Sequence, residues 1–152
     1  EIMTKEVLIN ITGIHMDMIE KGEEDEPVAV ITPANYFKKN GKHYIIYDEV
    51  AEGMPGVTKN TIKITGDNMI EIMKKGLTNT HMVFEKGKNH MTGYGTPFGQ
   101  LVMGIRTKDL HVSETEEEIG ASILYHLEVN EEAVAECRIK IRITPKSAGI
   151  EI

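Results

Sequence analysis

The residues most able to do chemistry cluster around "HMTGYGTPFGQLVMGI", residues 90–105, where Gly93, Gly95, Gly99 and Gly104 crowd a short span. A dinucleotide fingerprint needs G-x-G-x-x-G leading into a helix whose N-terminus receives the pyrophosphate. Here the third glycine comes one residue late, Pro97 sits inside the loop, and "QLVMGIRT" alternates as a strand. A phosphate-binding Gly-Lys-Ser/Thr is absent from the chain. The stretch therefore reads as a tight strand-to-strand corner, with glycine supplying positive φ and close backbone approach.

Histidines 15, 43, 81, 90, 111 and 126 occur singly, never at i, i+2 on a strand or i, i+4 on a helix, so metal ligation would need convergence across strands. Neither a metal nor a cofactor is expected. Glu71 and Glu85 are the carboxylates whose meeting in a cleft would make an acid and base pair, and outward polar positions account for both. The acidic run Asp17, Glu20, Glu23, Glu24, Asp25 and Glu26 lacks the order of a calcium loop and reads as a solvated loop. Arg138, Lys140 and Arg142 form a basic stripe opposite isoleucines, again an outward face. Nothing here amounts to a catalytic signature.

The elements that must position these groups are strands. Period-two alternation recurs along the chain: Cys137, Ile139, Ile141 and Ile143 in "ECRIKIRIT"; Ile123, Tyr125, Leu127 and Val129 in "ASILYHLEV"; Ile62 and Ile64, then Ile70 and Ile72; and Leu101, Met103 and Ile105 against Val102 and Arg106. Further strands are expected at 5–14, 28–38, 43–50, 78–86 and 89–94, with 14–22 a helical turn or irregular excursion. "KNGK" at 39–42 is an Asn-Gly type I′ hairpin signal, and "GDN", "KGK" and "NEE" mark further short turns. These features suggest an all-β chain folded as an antiparallel barrel or sandwich, and roughly 8–10 strands of this length would close a barrel. One domain is expected over 1–152, with its core at about 5–144.

Composition narrows the setting. The formal net charge of −7 argues against a nucleic-acid partner, and no apolar run is long enough for a helical membrane span. The opening "EIMTKEVLINIT" lacks the basic-then-apolar order of a signal peptide, and Cys137 is the only cysteine, which suits a reducing cytoplasm. The expected localisation is cytoplasmic.

"GVT" (56–58), "ITGD" (64–67), "HMVFEKGKNH" (81–90) and "YGTPFG" (94–99) followed by "LVMGIRTKDL" resemble the YwiB-like family. These are small bacterial proteins of uncharacterised function assigned to the calycin-like β-barrels. Met82, Val83, Phe84, Glu85, Gly87 and His90 match the family hairpin, and Tyr94, Thr96, Pro97, Phe98 and Gly99 match its second motif. The resemblance implies a single antiparallel β-barrel of about 8–10 strands, calycin- or lipocalin-like, and carries no reaction. The chain has no tryptophan, so the Gly-x-Trp of lipocalins is missing, as is the Arg-x-Tyr of fatty-acid carriers.

Tyrosines bury an apolar body while offering a hydroxyl. Together with the family-like hairpin they give the expected site: non-catalytic binding of a small, partly apolar or amphipathic ligand at the barrel mouth by Tyr36, Tyr47, His81, His90, Tyr94, Phe98 and Arg106. Tyr44 is a further aromatic beside the Asn40–Gly41 turn, and methionines 69, 73, 82, 91 and 103 are core or adaptable lining. Two alternatives stand beside it: an interaction or structural module acting through a sheet face or as a homodimer, and an enzyme with a dispersed site of His81, His90, Tyr94 and Arg106. The last requires those side chains to converge, although strand parity lets only one of His81 and Met82 point inward.

Overall fold

The computed structural model describes residues 5–13, 29–50, 53, 55–77, 79–96, 99–129 and 132–146. The acid-rich run at 17–26, the 14–22 excursion, Pro97 and Phe98 lie outside the described residues. Among those described, ten antiparallel strands close into one barrel: β1 (Lys5–Thr12), β2 (Ala29–Lys39), β3 (Lys42–Glu49), β4 (Thr58–Thr65), β5 (Met69–Lys75), β6 (Asn79–Glu85), β7 (Asn89–Thr96), β8 (Gly99–Glu114), β9 (Ile119–Val129) and β10 (Glu132–Pro145). Each strand pairs with its neighbours in sequence, and β1 against β10 completes the ring.

The turns follow from local chemistry. Asn40 and Gly41 both take positive φ (53° and 77°), as a type I′ hairpin requires between β2 and β3. The glycine-rich corner is also a hairpin: Thr96 pairs with Gly99, leaving residues 97 and 98 between the strands. Of its glycines, Gly99 carries a positive φ (136°), whereas Gly93 lies extended within β7 opposite Val102. Only one of them thus needs the left-handed backbone, and Gly93 is an ordinary strand position.

Alternation sorts the side chains as the sequence implies. Ile9, Ile45, Ile62, Ile64, Ile70, Ile105, Ile123 and Ile139 are completely buried and fill the middle of the barrel with β-branched aliphatic groups, and Phe84 is completely buried among the core residues. Phe84 meets Tyr125 edge-on from β9 with ring centroids 4.9 Å apart. Arg138, Lys140 and Arg142 face outward, opposite to Ile139, Ile141 and Ile143. Cys137 is buried beside Tyr125, and burial is the main cause that pushes its thiol up.

One irregularity matters for function. Between β8 and β9 the register runs Thr107 to Tyr125 and then Asp109 to Leu124, so Lys108 is an extra residue, a β-bulge. Before it the odd positions Met103, Ile105 and Thr107 face inward; after it Leu110 does. The bulge thereby brings Glu114, paired with the buried Ile119, onto the inner face.

Candidate functional site

The inward faces of the strands turn polar at both ends of the barrel. At the end bearing the β2–β3 hairpin, His43 precedes the inward Ile45 and Tyr47 by strand parity and is only 6% exposed. Its Nδ1 lies 2.7 Å from the Tyr36 hydroxyl and its Nε2 lies 3.2 Å from Glu114 Oε1. β3 and β8 stand five strands apart in either direction around the ring. The chain Tyr36–His43–Glu114 is therefore a bolt across the mouth, joining opposite walls.

The chemistry of this chain sets its protons. A carboxylate only accepts, so the His43 Nε2–H donates to Glu114, and in the neutral imidazole Nδ1 is then the lone pair that accepts the Tyr36 O–H. Burial, and after it the charge of Glu114, push the Tyr36 phenol up, so it keeps its proton. Tyr36 and Glu114 also border a depression of about 250 Å³ with the apolar Val7, Ile119 and Ile143 in its wall.

At the other end, Tyr47, Asn60, Lys74 and Thr80 are successive register partners across β3, β4, β5 and β6. The Lys74 side chain is 11% exposed; its ammonium donates to Asn60 Oδ1 at 2.8 Å and to Glu49 Oε1 at 3.0 Å. The Asn60 amide donates to the same Glu49 oxygen at 3.1 Å and to the Thr58 carbonyl. Burial works to raise Glu49, but the hydrogen bond and charge of Lys74 and the hydrogen bond of Asn60 outweigh it and hold this carboxyl below its ordinary range. Tyr47, in contrast, is raised by burial and then by the charge of Glu49.

The expected site residues do not share one mouth. Tyr36 stands at the bolted end, and Tyr47 is buried towards the opposite one. His81 faces outward next to the inward Met82 and bonds Glu71 Oε1 at 2.8 Å. His90 bonds Glu85 Oε1 at 3.0 Å, so Glu71 and Glu85 each hold a histidine. Arg106 lies on the outer wall, its Nε donating to Glu128 Oε2 at 3.1 Å. Tyr94 pairs with Thr80 through the β7 backbone, and Phe98 lies outside the described residues. The convergence that a dispersed active site needs is not found among His81, His90 and Arg106.

His43, Asn60, Lys74 and Glu114 were not among the expected residues. For the first three a signal existed: extending the alternation of Ile45, of Ile62 and Ile64, and of Ile70 and Ile72 by one step puts a polar residue on the inner face. Two larger hollows, about 570 and 610 Å³, lie along β8–β10 and β2–β3 and are lined chiefly by outward residues such as His111 and Arg142, or Phe37 and Lys59. Among the described residues, no three His, Cys, Asp or Glu side chains form a metal-ligating group.

Fold and site together define a closed antiparallel barrel with an aliphatic middle and polar groups at its mouths. The chain belongs to the family described as domain of unknown function DUF1934, whose model matches residues 9–141. It is similar to the crystal structure of the YwiB protein from Bacillus subtilis, with 20% sequence identity over 93% of this chain and 92% of that one, at a TM-score of 0.76. That likeness confirms the barrel, and the family model together with it supports the YwiB-like resemblance. No curated protein matches the sequence.

Proposed function

We propose that the protein is a non-catalytic, cytoplasmic binding barrel that takes a small, partly apolar ligand at the mouth bolted by Tyr36, His43 and Glu114. One observation carries this reading: the 250 Å³ depression sets a phenol and a carboxylate beside Val7, Ile119 and Ile143, the mixture of apolar wall and few polar groups that small-molecule sites use. Tyr36 keeps its place in the expected site, while the other half of the reading moves from Tyr47 and Arg106 to His43 and Glu114. A single buried thiol agrees with a reducing compartment.

The test is native mass spectrometry of protein purified from its own host, followed by thermal shift with any co-purifying compound. A ligand at about 100 times its dissociation constant stabilises the fold by about 2.7 kcal/mol. The amide resonances of Val7, Tyr36, Ile119 and Ile143 should move on binding; shifts confined to Asn60 and Lys74 would place the ligand elsewhere and refute the reading.

A second reading, an interaction module or homodimer, draws on one feature of the outer wall. Met91 and Val102 are 65% and 62% exposed on β7 and β8, and each lies opposite a glycine, Gly104 and Gly93 respectively. Glycine leaves these side chains uncovered. Sedimentation should show self-association that Met91→Lys abolishes; a monomer at all concentrations would remove this reading.

A further inference from the structure

The order of protons along the mouth bolt determines which ligand chemistry the mouth accepts. With a neutral imidazole, Glu114 Oε1 at 3.2 Å takes the His43 Nε2–H, and His43 Nδ1 at 2.7 Å takes the Tyr36 O–H. With its only proton committed to the imidazole, the Tyr36 oxygen has nothing but lone pairs left for the depression, and the second Glu114 oxygen is likewise an acceptor. A ligand carboxylate or carbonyl placed there would face acceptor against acceptor, and its unmade hydrogen bonds would count against it. An N–H or O–H donor would find both groups ready. The charges around the depression are mostly negative: Glu6, Glu114, Glu116, Glu117 and Glu118 border it, against Lys5. Arg142 at 3.2 Å offsets Glu118 and Lys146 at 3.7 Å offsets Glu6.

We propose that the Tyr36–His43–Glu114 relay fixes this mouth as an acceptor site, so that its ligand is a hydrogen-bond donor, a small protonated amine with an apolar body, and not a carboxylate. This rests on the binding function proposed above and names its ligand class. The apolar body would lie on Val7, Ile119 and Ile143, and the ammonium would bridge Tyr36 and Glu114. Both groups are positioned by the imidazole between them, so His43 is a positioning residue.

Two measurements on the full chain test it separately. The first reads the relay without any ligand: ring nitrogen chemical shifts of His43 should show the neutral tautomer with its proton on Nε2, and a proton on Nδ1 would overturn the proposal. The second compares benzylamine with phenylacetate by calorimetry. Benzylamine should bind about tenfold more tightly or better, since a charge-assisted hydrogen bond is gained in one case and repulsion in the other. Glu114→Gln, at a side chain 51% exposed and so tolerant of change, should shrink that preference, and Tyr36→Phe should weaken benzylamine binding while the fold survives. Phenylacetate binding as tightly as benzylamine would overturn the ligand class. Binding of neither probe would overturn the ligand class and count against the binding function on which it rests, while the tautomer measurement would still report on the relay.

Discussion

The two ends of the barrel solve the same problem, polar groups facing inward, in different ways. At the Lys74 end the partners sit on adjacent strands: Glu49 on β3, Asn60 on β4 and Lys74 on β5, so the network runs along one wall. At the His43 end the bond to Glu114 joins strands on opposite sides of the ring. The first arrangement satisfies a buried cation and leaves the mouth unspanned by these groups. The second spans the mouth through a half-exposed carboxylate whose other oxygen remains an acceptor. A wall network joins neighbouring strands that the ladder already holds, whereas the bolt joins strands that share no ladder.

The sharpest way to break this contrast is Leu110→Ala, at a side chain 2% exposed on the same inner face of β8 as Glu114. Truncating a buried leucine costs about 2–5 kcal/mol, so urea denaturation should show a drop of about 4 kcal/mol. Deleting Lys108, in contrast, leaves Thr107, Asp109 and Leu110 in regular alternation on their present faces and should keep the bolt. A mild effect of Leu110→Ala would show that β8 beyond the bulge contributes little to the core.

Next in size, Asn60→Ala removes the fully buried amide that organises the wall network and leaves the Lys74 ammonium with a single partner. We expect a loss of about 3 kcal/mol in equilibrium unfolding. Hydrogen exchange should quicken at β4 and β5, with the His43 end unaffected.

Acid dependence sharpens the comparison further. The carboxyl of Glu49 is lowered in the folded protein, so its contribution is present above the unfolded value of about 4.3 and disappears as pH falls through the lower folded value. Glu49→Gln should therefore flatten the stability profile below about pH 4.3. Because its side chain is 52% exposed, the effect at neutral pH should stay under about 1 kcal/mol. Smallest of all is Arg106→Ala on the outer wall: its pair with Glu128 is exposed on the arginine side, and unfolding should change by no more than about 0.5 kcal/mol. A larger loss would mean that the outer wall, and not the mouths, carries this protein's polar energetics.

Much of the molecule was legible beforehand. Ile139, Ile141 and Ile143 against Arg138, Lys140 and Arg142 stated both strand and facing, and Asn40–Gly41 stated its hairpin, because period-two alternation and positive-φ turn chemistry are properties of neighbouring residues. Even the inward turn of His43, Asn60 and Lys74 lay one step beyond visible isoleucines. The candidate site at the bolted mouth was not read, and for a different reason. His81 and Arg106 looked chemical by type, and the folded chain uses them in outer-wall ion pairs.

By itself the sequence determined the strands, their faces and the aliphatic middle of the barrel, since each follows from which residues adjoin which along one chain. Only the tertiary structure decided the bolt. His43 and Glu114 are 71 residues apart and share no ladder; ring closure brings their strands to opposite walls of one mouth. Before that closure can join them, the extra residue at Lys108 must reverse the parity of β8, and nothing in the alternation of "IRTKDLHVSE" marks where that reversal falls.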